Sequence, residues 1–199
     1  MVLSIDTGFD ILGLALLDEN LQLVFSVNYR QLGTFSEKLV EKIDFHLKEY
    51  NIEKQQINKV VVNKGPGGYT GLRVGITTAK TLAYALKLPL YAYVSLDVLQ
   101  YKHRHHEGRT VVAINAGRKE AYIKVFENGK SSDINLIKQQ ELPEILSEKD
   151  LLITKNLTVN HPKMIEEKES LAVEGAEFAI SKSLSENPIT LEPVYIRKT

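Results

Sequence analysis

The sequence has no cysteine in its 199 residues. That excludes disulfides, thiolate metal sites and a cysteine nucleophile. It also lacks a surplus of charge, since 25 Lys and Arg balance 25 Asp and Glu. A chain that bound nucleic acid unaided would be expected to carry a basic excess, so only a local patch could serve. No apolar run approaches the roughly 20 residues needed to span a bilayer. Asp6 stands too early for a secretory signal, and no charged segment precedes it. The cytoplasm is therefore the expected compartment. Several motifs are missing too. There is no Gly-Lys-Ser/Thr P-loop, no dinucleotide fingerprint and no HExxH, and no G-x-S-x-G elbow.

What is present centres on residues 60 to 89. Val60, Val61 and Val62 form the continuous β-branched run of a strand buried on both faces. Gly65-Pro66-Gly67-Gly68 follows as a loop, and then a helical pattern begins at Tyr69 and Thr70. Leu72, Ile76, Ala79, Ala83 and Leu86 make one apolar face. Arg73, Thr77, Lys80, Tyr84 and Lys87 make the opposite one. Pro89 prevents a longer helix. The loop has two readings. It could cradle phosphate at the helix N-terminus, or it could be a tight turn that lets strand and helix pack closely.

Before this stretch, Met1–Asp6, Ile11–Leu17 and Leu21–Tyr29 read as strands joined by short turns, hence an antiparallel meander. Asp6-Thr7-Gly8 is the first turn, where Asp6 and Thr7 could face a phosphate or Mg²⁺, or could simply bond their own turn. Thr34 or Ser36 could cap a helix with apolar positions Phe35, Leu39, Ile43, Leu47 and Tyr50. A strand at Leu90–Val94 and a helix from Ser95 complete a βββαβαβα order, whose helical connections imply parallel crossovers. That order is the repeat unit of the actin-like ATPase fold.

The second half reads as a shortened copy. It has strands at Thr110–Ala116 and Ala121–Phe126, a tight turn at Asn128-Gly129, a short helix at Glu141–Leu146, a strand at Leu151–Thr154 and a helix at Ser170–Leu184. The expected division is a lobe over residues 1–103 and a smaller one over 104–199. The run Tyr101-Lys102-His103-Arg104-His105-His106 is the most basic stretch. It could meet RNA phosphates or a metal, but reads more simply as a solvated helix end. Glu166-Glu167 and Asp18-Glu19 read as solvated surface.

The run Gly65-Pro66-Gly67-Gly68-Tyr69-Thr70-Gly71-Leu72-Arg73-Val74-Gly75 resembles the GPGSFTGxRxG signature of the TsaB (YeaZ) family. Residues 1–16 are similar to the start of such proteins. Asn115 to Tyr122 resembles their DARRGEVY-type turn, and Glu192 to Arg197 resembles their C-terminal P-x-Y-x-R. The resemblance implies an actin-like (ASKHA, ribonuclease H-like) α/β fold with two lobes, the second shortened. It also implies a non-catalytic subunit of the machinery that makes threonylcarbamoyladenosine in tRNA.

In that family the first two helices of the first lobe pack against those of the catalytic relative, TsaD. Carried over, this makes Phe35, Leu39, Ile43, Tyr69, Arg73, Thr77, Lys80 and Tyr84 the expected partner surface. TsaE would sit at the heterodimer junction, tRNA would be reached through the complex, and a homodimer could form alone. No catalytic residue, metal or cofactor is expected on this chain, with ATP and metal on the partners. TsaD holds metal through a His-x-x-x-His pair, and none of the five histidines here forms one. Relative to the family pattern, Ser is Gly68, Phe is Tyr69, Asp is Asn115, and a His often found before the first helix's Ser is Phe35. Loss of the Asp and the His fits a non-catalytic role. Asp6, Thr7, Gly65, Gly67 and Gly68 would then be at most a vestigial phosphate loop. The competing class is a stand-alone actin-like ATPase or transferase that uses them.

Overall fold

The computed structural model describes residues 1–30 and 35–196. The chain forms two compact units. The first is built from Met1–Ser95 and Glu169–Pro193. Strands β1 (Val2–Asp6), β2 (Ile11–Leu17) and β3 (Leu23–Arg30) make an antiparallel meander. Helix α1 (Phe35–Glu49) follows and leads to β4 (Lys59–Asn63), which pairs parallel to β1. Helix α2 (Tyr69–Leu86) leads in turn to β5 (Leu90–Tyr93), parallel to β4.

Val60, Val61 and Val62 are wholly buried, as their unbroken apolar run requires. Helix α2 stops at Lys87, which takes a left-handed conformation (φ 53°) and returns its N–H to the carbonyls of Ala83 and Tyr84. Pro89 then lies just beyond the cap. The core joins Leu3, Ile5, Leu14 and Val62 of the sheet to Leu39, Ile43 and Leu47 of α1 and Ile76, Ala79 and Ala83 of α2. Burial of each large aliphatic side chain here contributes about 1.5–3 kcal/mol.

With α3 (Ser95–Lys102) the chain enters the second unit, over Leu96–Lys168 and from Val194 onward. Strands β6 (Thr110–Gly117) and β7 (Glu120–Glu127) pair antiparallel, and the short β8 (Lys130–Ser131) and β9 (Asn135–Lys138) both pair with β7. One turn of 3₁₀-helix and α4 (Leu142–Ile145) lead to β10 (Leu151–Lys155), parallel to β6, and β11 (Met164–Glu167) lies parallel to β10. The sheet repeats the first unit's order, with α4 reduced to four residues. Val111, Ala113, Ala121, Ile123, Leu142, Leu152 and Leu157 fill its core.

The division differs from the one expected at 103/104. It falls after Ser95, and helix α5 (Ala172–Ser181) returns to the first sheet, against β1, β2 and β4. Two small-residue contacts let it sit so close. A Cβ on Gly13 would run into the Ser170 side chain, and one on Gly175 into the Tyr93 ring. The chain then adds β12 (Ser185–Glu186), antiparallel to β5. Other sequence readings shift too. Tyr50 and Leu86, placed on apolar helix faces, are 46% and 40% exposed. Glu167, read as solvated, is buried against His103 (2.6 Å) and Lys102 (3.1 Å). The candidate caps Thr34 and Ser36, the Phe35 side chain and Arg197 lie outside what the structure describes.

Candidate functional site

Asn63, at the end of β4, organises the junction between the glycine loop and the first turn. Its Oδ1 accepts from the Gly65 N–H (2.7 Å) and the Ser95 hydroxyl (2.8 Å), and its Nδ2 donates to Asp6 Oδ1 (2.8 Å). Asp6 Oδ1 also accepts from the Gly8 N–H (3.0 Å), and Oδ2 accepts from the Leu171 N–H (2.6 Å). Asp6, Thr7, Asn63 and Ser95 are all fully buried. Both Asp6 oxygens are thus engaged within the fold and turned away from solvent.

The loop itself is pressed onto the turn. Gly68 N–H donates to Gly8 O (2.7 Å), and a Cβ on Gly67 would collide with that same carbonyl. Gly65 has φ 99°, a conformation that favours glycine. Thr7 Oγ1 donates to Gly71 O (2.7 Å), and Gly75 leaves room for that hydroxyl. The glycines therefore seat α2 directly against the β1–β2 turn.

The helix pair divides the expected partner residues into three groups. Leu39 is wholly buried and Ile43 is 6% exposed, both in the unit's own core, so a partner does not reach Leu39. This corrects the expectation, because the apolar stripe of α1 faces its own sheet. Tyr69, Arg73, Thr77 and Tyr84 do lie exposed on α2. The Arg73 guanidinium donates to the Tyr69 hydroxyl (2.5 Å) and lies over that ring. Lys80 has a different task. Its ammonium donates to the carbonyls of Ile189 and Leu191 (3.0 Å each), which holds the segment after β12 on the helix, with Leu191 buried beneath.

Sequence reading missed Val40 and Phe45 on α1, which are 59% and 52% exposed. The signal was there for Phe45, which stands off the helical step of Leu39, Ile43 and Leu47. Val40 and Leu86 flank an apolar groove of about 140 Å³ between α1 and α2, lined also by Leu47, Leu82 and Ala85. Within α1, His46 is buried between the Tyr29 hydroxyl (2.5 Å) and the Glu49 carboxylate (2.9 Å), which fastens the helix to β3. Tyr29's phenol is pushed up by burial and by the nearby Glu49 charge. Among the described residues no group of three or more His, Cys, Asp or Glu could hold a metal ion. No helix there is long and apolar enough to cross a membrane.

The strand order β5-β4-β1-β2-β3, with the first crossovers through helices and a shortened copy in the second unit, defines an actin-like, ribonuclease H-like α/β protein. Comparison with known proteins makes this specific. The chain is 31% identical to the tRNA threonylcarbamoyladenosine biosynthesis protein TsaB of Bacillus subtilis strain 168, over 99% of this chain and 86% of that one. Residues 33–191 match the family described as TsaD, tRNA N6-adenosine threonylcarbamoyltransferase. The solved structure of YeaZ from Pseudomonas aeruginosa shares the fold at TM-score 0.76 and 21% identity, covering 98% of this chain and 99% of that one. A second Pseudomonas aeruginosa structure, of an uncharacterised protein similar to peptidase YeaZ, does so at 0.80 and 19%, with the same coverage. The chain belongs to the TsaB (YeaZ) family.

Proposed function

We propose that this chain is the non-catalytic platform subunit of a tRNA threonylcarbamoyladenosine complex. It pairs with a TsaD protein through the outer face of α1 and α2, and supports threonylcarbamoyl transfer to N6 of adenosine 37 in tRNAs that read ANN codons. The observation that carries this reading is the exposed apolar pair Val40 and Leu86 flanking the groove between the two helices, with Phe45 and Tyr84 also exposed on them. An apolar groove flanked by exposed apolar side chains is a common mark of a protein contact. Family membership supplies the partner. TsaE would bind at the heterodimer junction, tRNA would be held by the assembled complex, and the same face would allow a homodimer in the partner's absence. ATP and metal belong to the partners in this reading, and the complex works in the cytoplasm. The buried, fully bonded Asp6 weighs against a stand-alone ATPase built on Asp6, Thr7 and residues 65–68.

Mixing the chain with TsaD from the same organism and measuring mass after size exclusion tests the pairing. A one-to-one heterodimer is expected. Separate elution at micromolar concentrations contradicts it.

A further inference from the structure

In the second unit, the β6–β7 turn and β9 border a cleft of about 430 Å³. That is within the usual size of small-molecule sites. Arg118, Glu120, Tyr122, Leu136, Ile137 and Ile196 are among its lining residues.

Three features of this cleft go together. First, the turn is strained where it need not be. Arg118 and Lys119 have φ values of 52° and 62°, directly after Gly117 at 77°. A two-residue turn of this type favours Asn and Gly, and non-glycine residues held there cost conformational energy that tends to persist at functional positions. Second, charges of opposite sign line the cleft without meeting. The Arg118 guanidinium and the Glu120 carboxylate make no ion pair with each other, and neither side chain has another partner among the described residues. The Tyr122 hydroxyl likewise has no hydrogen bond to a described residue. Third, Leu136, Ile137 and Ile196 give the cleft an aliphatic stretch of wall, with Lys138 at the end of β9 and Glu141 just beyond it also lining it.

We propose that this cleft binds a small zwitterion with an apolar side chain, either a free amino acid or the body of a short peptide. Its carboxylate meets Arg118, its ammonium meets Glu120, and its side chain lies on the aliphatic wall. A ligand with a single charge satisfies only one of the two groups, and an inorganic anion meets Glu120 unfavourably.

Titration of the full chain by two-dimensional ¹⁵N NMR tests this. The probes are L-leucine, leucyl-leucine, 4-methylpentanoate (no ammonium) and 3-methylbutylamine (no carboxylate). Saturable shifts around Arg118 to Tyr122 are expected for a zwitterion, with a dissociation constant of about 1 mM or tighter. Each single-charge analogue should bind at least about tenfold more weakly. Preference between leucine and its dipeptide separates the amino-acid source from the peptide source. Arg118→Gly relieves the strained backbone, so it should keep or raise Tm while weakening zwitterion binding about tenfold or more. Glu120→Gln should weaken it similarly. Absence of saturation by either zwitterion, equal binding of the amine or the acid, or full binding by Arg118→Gly overturns the proposal.

Discussion

The carboxyl group of Asp6 accepts a hydrogen bond from the backbone N–H of Leu171, 165 residues further along, at 2.6 Å. With its other oxygen on Gly8 and Asn63, it ties the first turn, the end of β4 and the start of α5 into one buried knot. An amide at this position would place an NH₂ against one of these N–H donors. Asp6→Asn is therefore expected to destabilise the protein by about 2 kcal/mol, through an unsatisfied buried pair. A urea melt measures it. An unchanged midpoint would mean that this carboxyl group is not a structural pin.

Tyr93 offers the opposite case. Its ring is fully buried against Gly175, and its hydroxyl has no hydrogen-bond partner among the described residues. Burial, helped by the Asp6 and Glu174 charges, raises its pKa well above the ordinary value. Tyr93→Phe should leave stability unchanged or raise it, by up to about 1 kcal/mol. Gly175→Ala should cost about 1–3 kcal/mol, because the new methyl group meets the ring. A destabilised Tyr93→Phe in thermal melts would show that the hydroxyl has a role in the fold.

The first unit's strands and its two long helices were readable in the sequence because local pattern decides them. Val60 to Val62 can only be a strand covered on both faces, and Leu39, Ile43 and Leu47 keep helical step. What sequence could not show is which surface each pattern meets. The apolar stripe of α5 reads the same whichever sheet it covers, and its return adds Glu169–Pro193 to the first unit. Lys80 reads as one more cation on a polar face, and only the fold brings the carbonyls of Ile189 and Leu191 to it. Leu39 and Ile43 were expected at a partner surface, yet their step alone assigns them to the core. The two-residue β12 and the short β11 carry too little pattern to stand out.

Glu167 gives the second unit a pH-dependent element. Burial alone would raise its pKa, but hydrogen bonds from His103 and Lys102 outweigh burial and lower it from the ordinary 4.5. A depressed carboxylate adds stability that is fully present above its unfolded pKa and is lost as pH falls through the folded one. The wild type should therefore lose stability as pH drops below about 4.5, and Glu167→Gln should flatten that part of the profile. Chemical denaturation at several pH values checks it, and parallel profiles for the two proteins would contradict it.

Partner binding separates two neighbours on α1. Val40→Asp, paired with Tyr84→Asp on α2, puts charge on the exposed face, and should weaken binding to TsaD by about 100-fold or more while leaving Tm within a few degrees. Leu39→Ala should instead cost about 2–5 kcal/mol of stability, as a cavity in the core. Titration calorimetry beside thermal melts distinguishes them. Full affinity in the doubly charged variant would move the interface elsewhere.

On the proposed function, this chain contributes no chemistry and yet is required for it. The most direct measurement is threonylcarbamoyl transfer to tRNA by TsaD, with TsaE and threonylcarbamoyl-adenylate supplied, comparing reactions with this chain, without it, and with the Val40→Asp, Tyr84→Asp variant. Modified adenosine is expected only with the wild-type chain, and none from this chain when TsaD is left out. Transfer at full rate without the chain, or transfer by the chain alone, would contradict it.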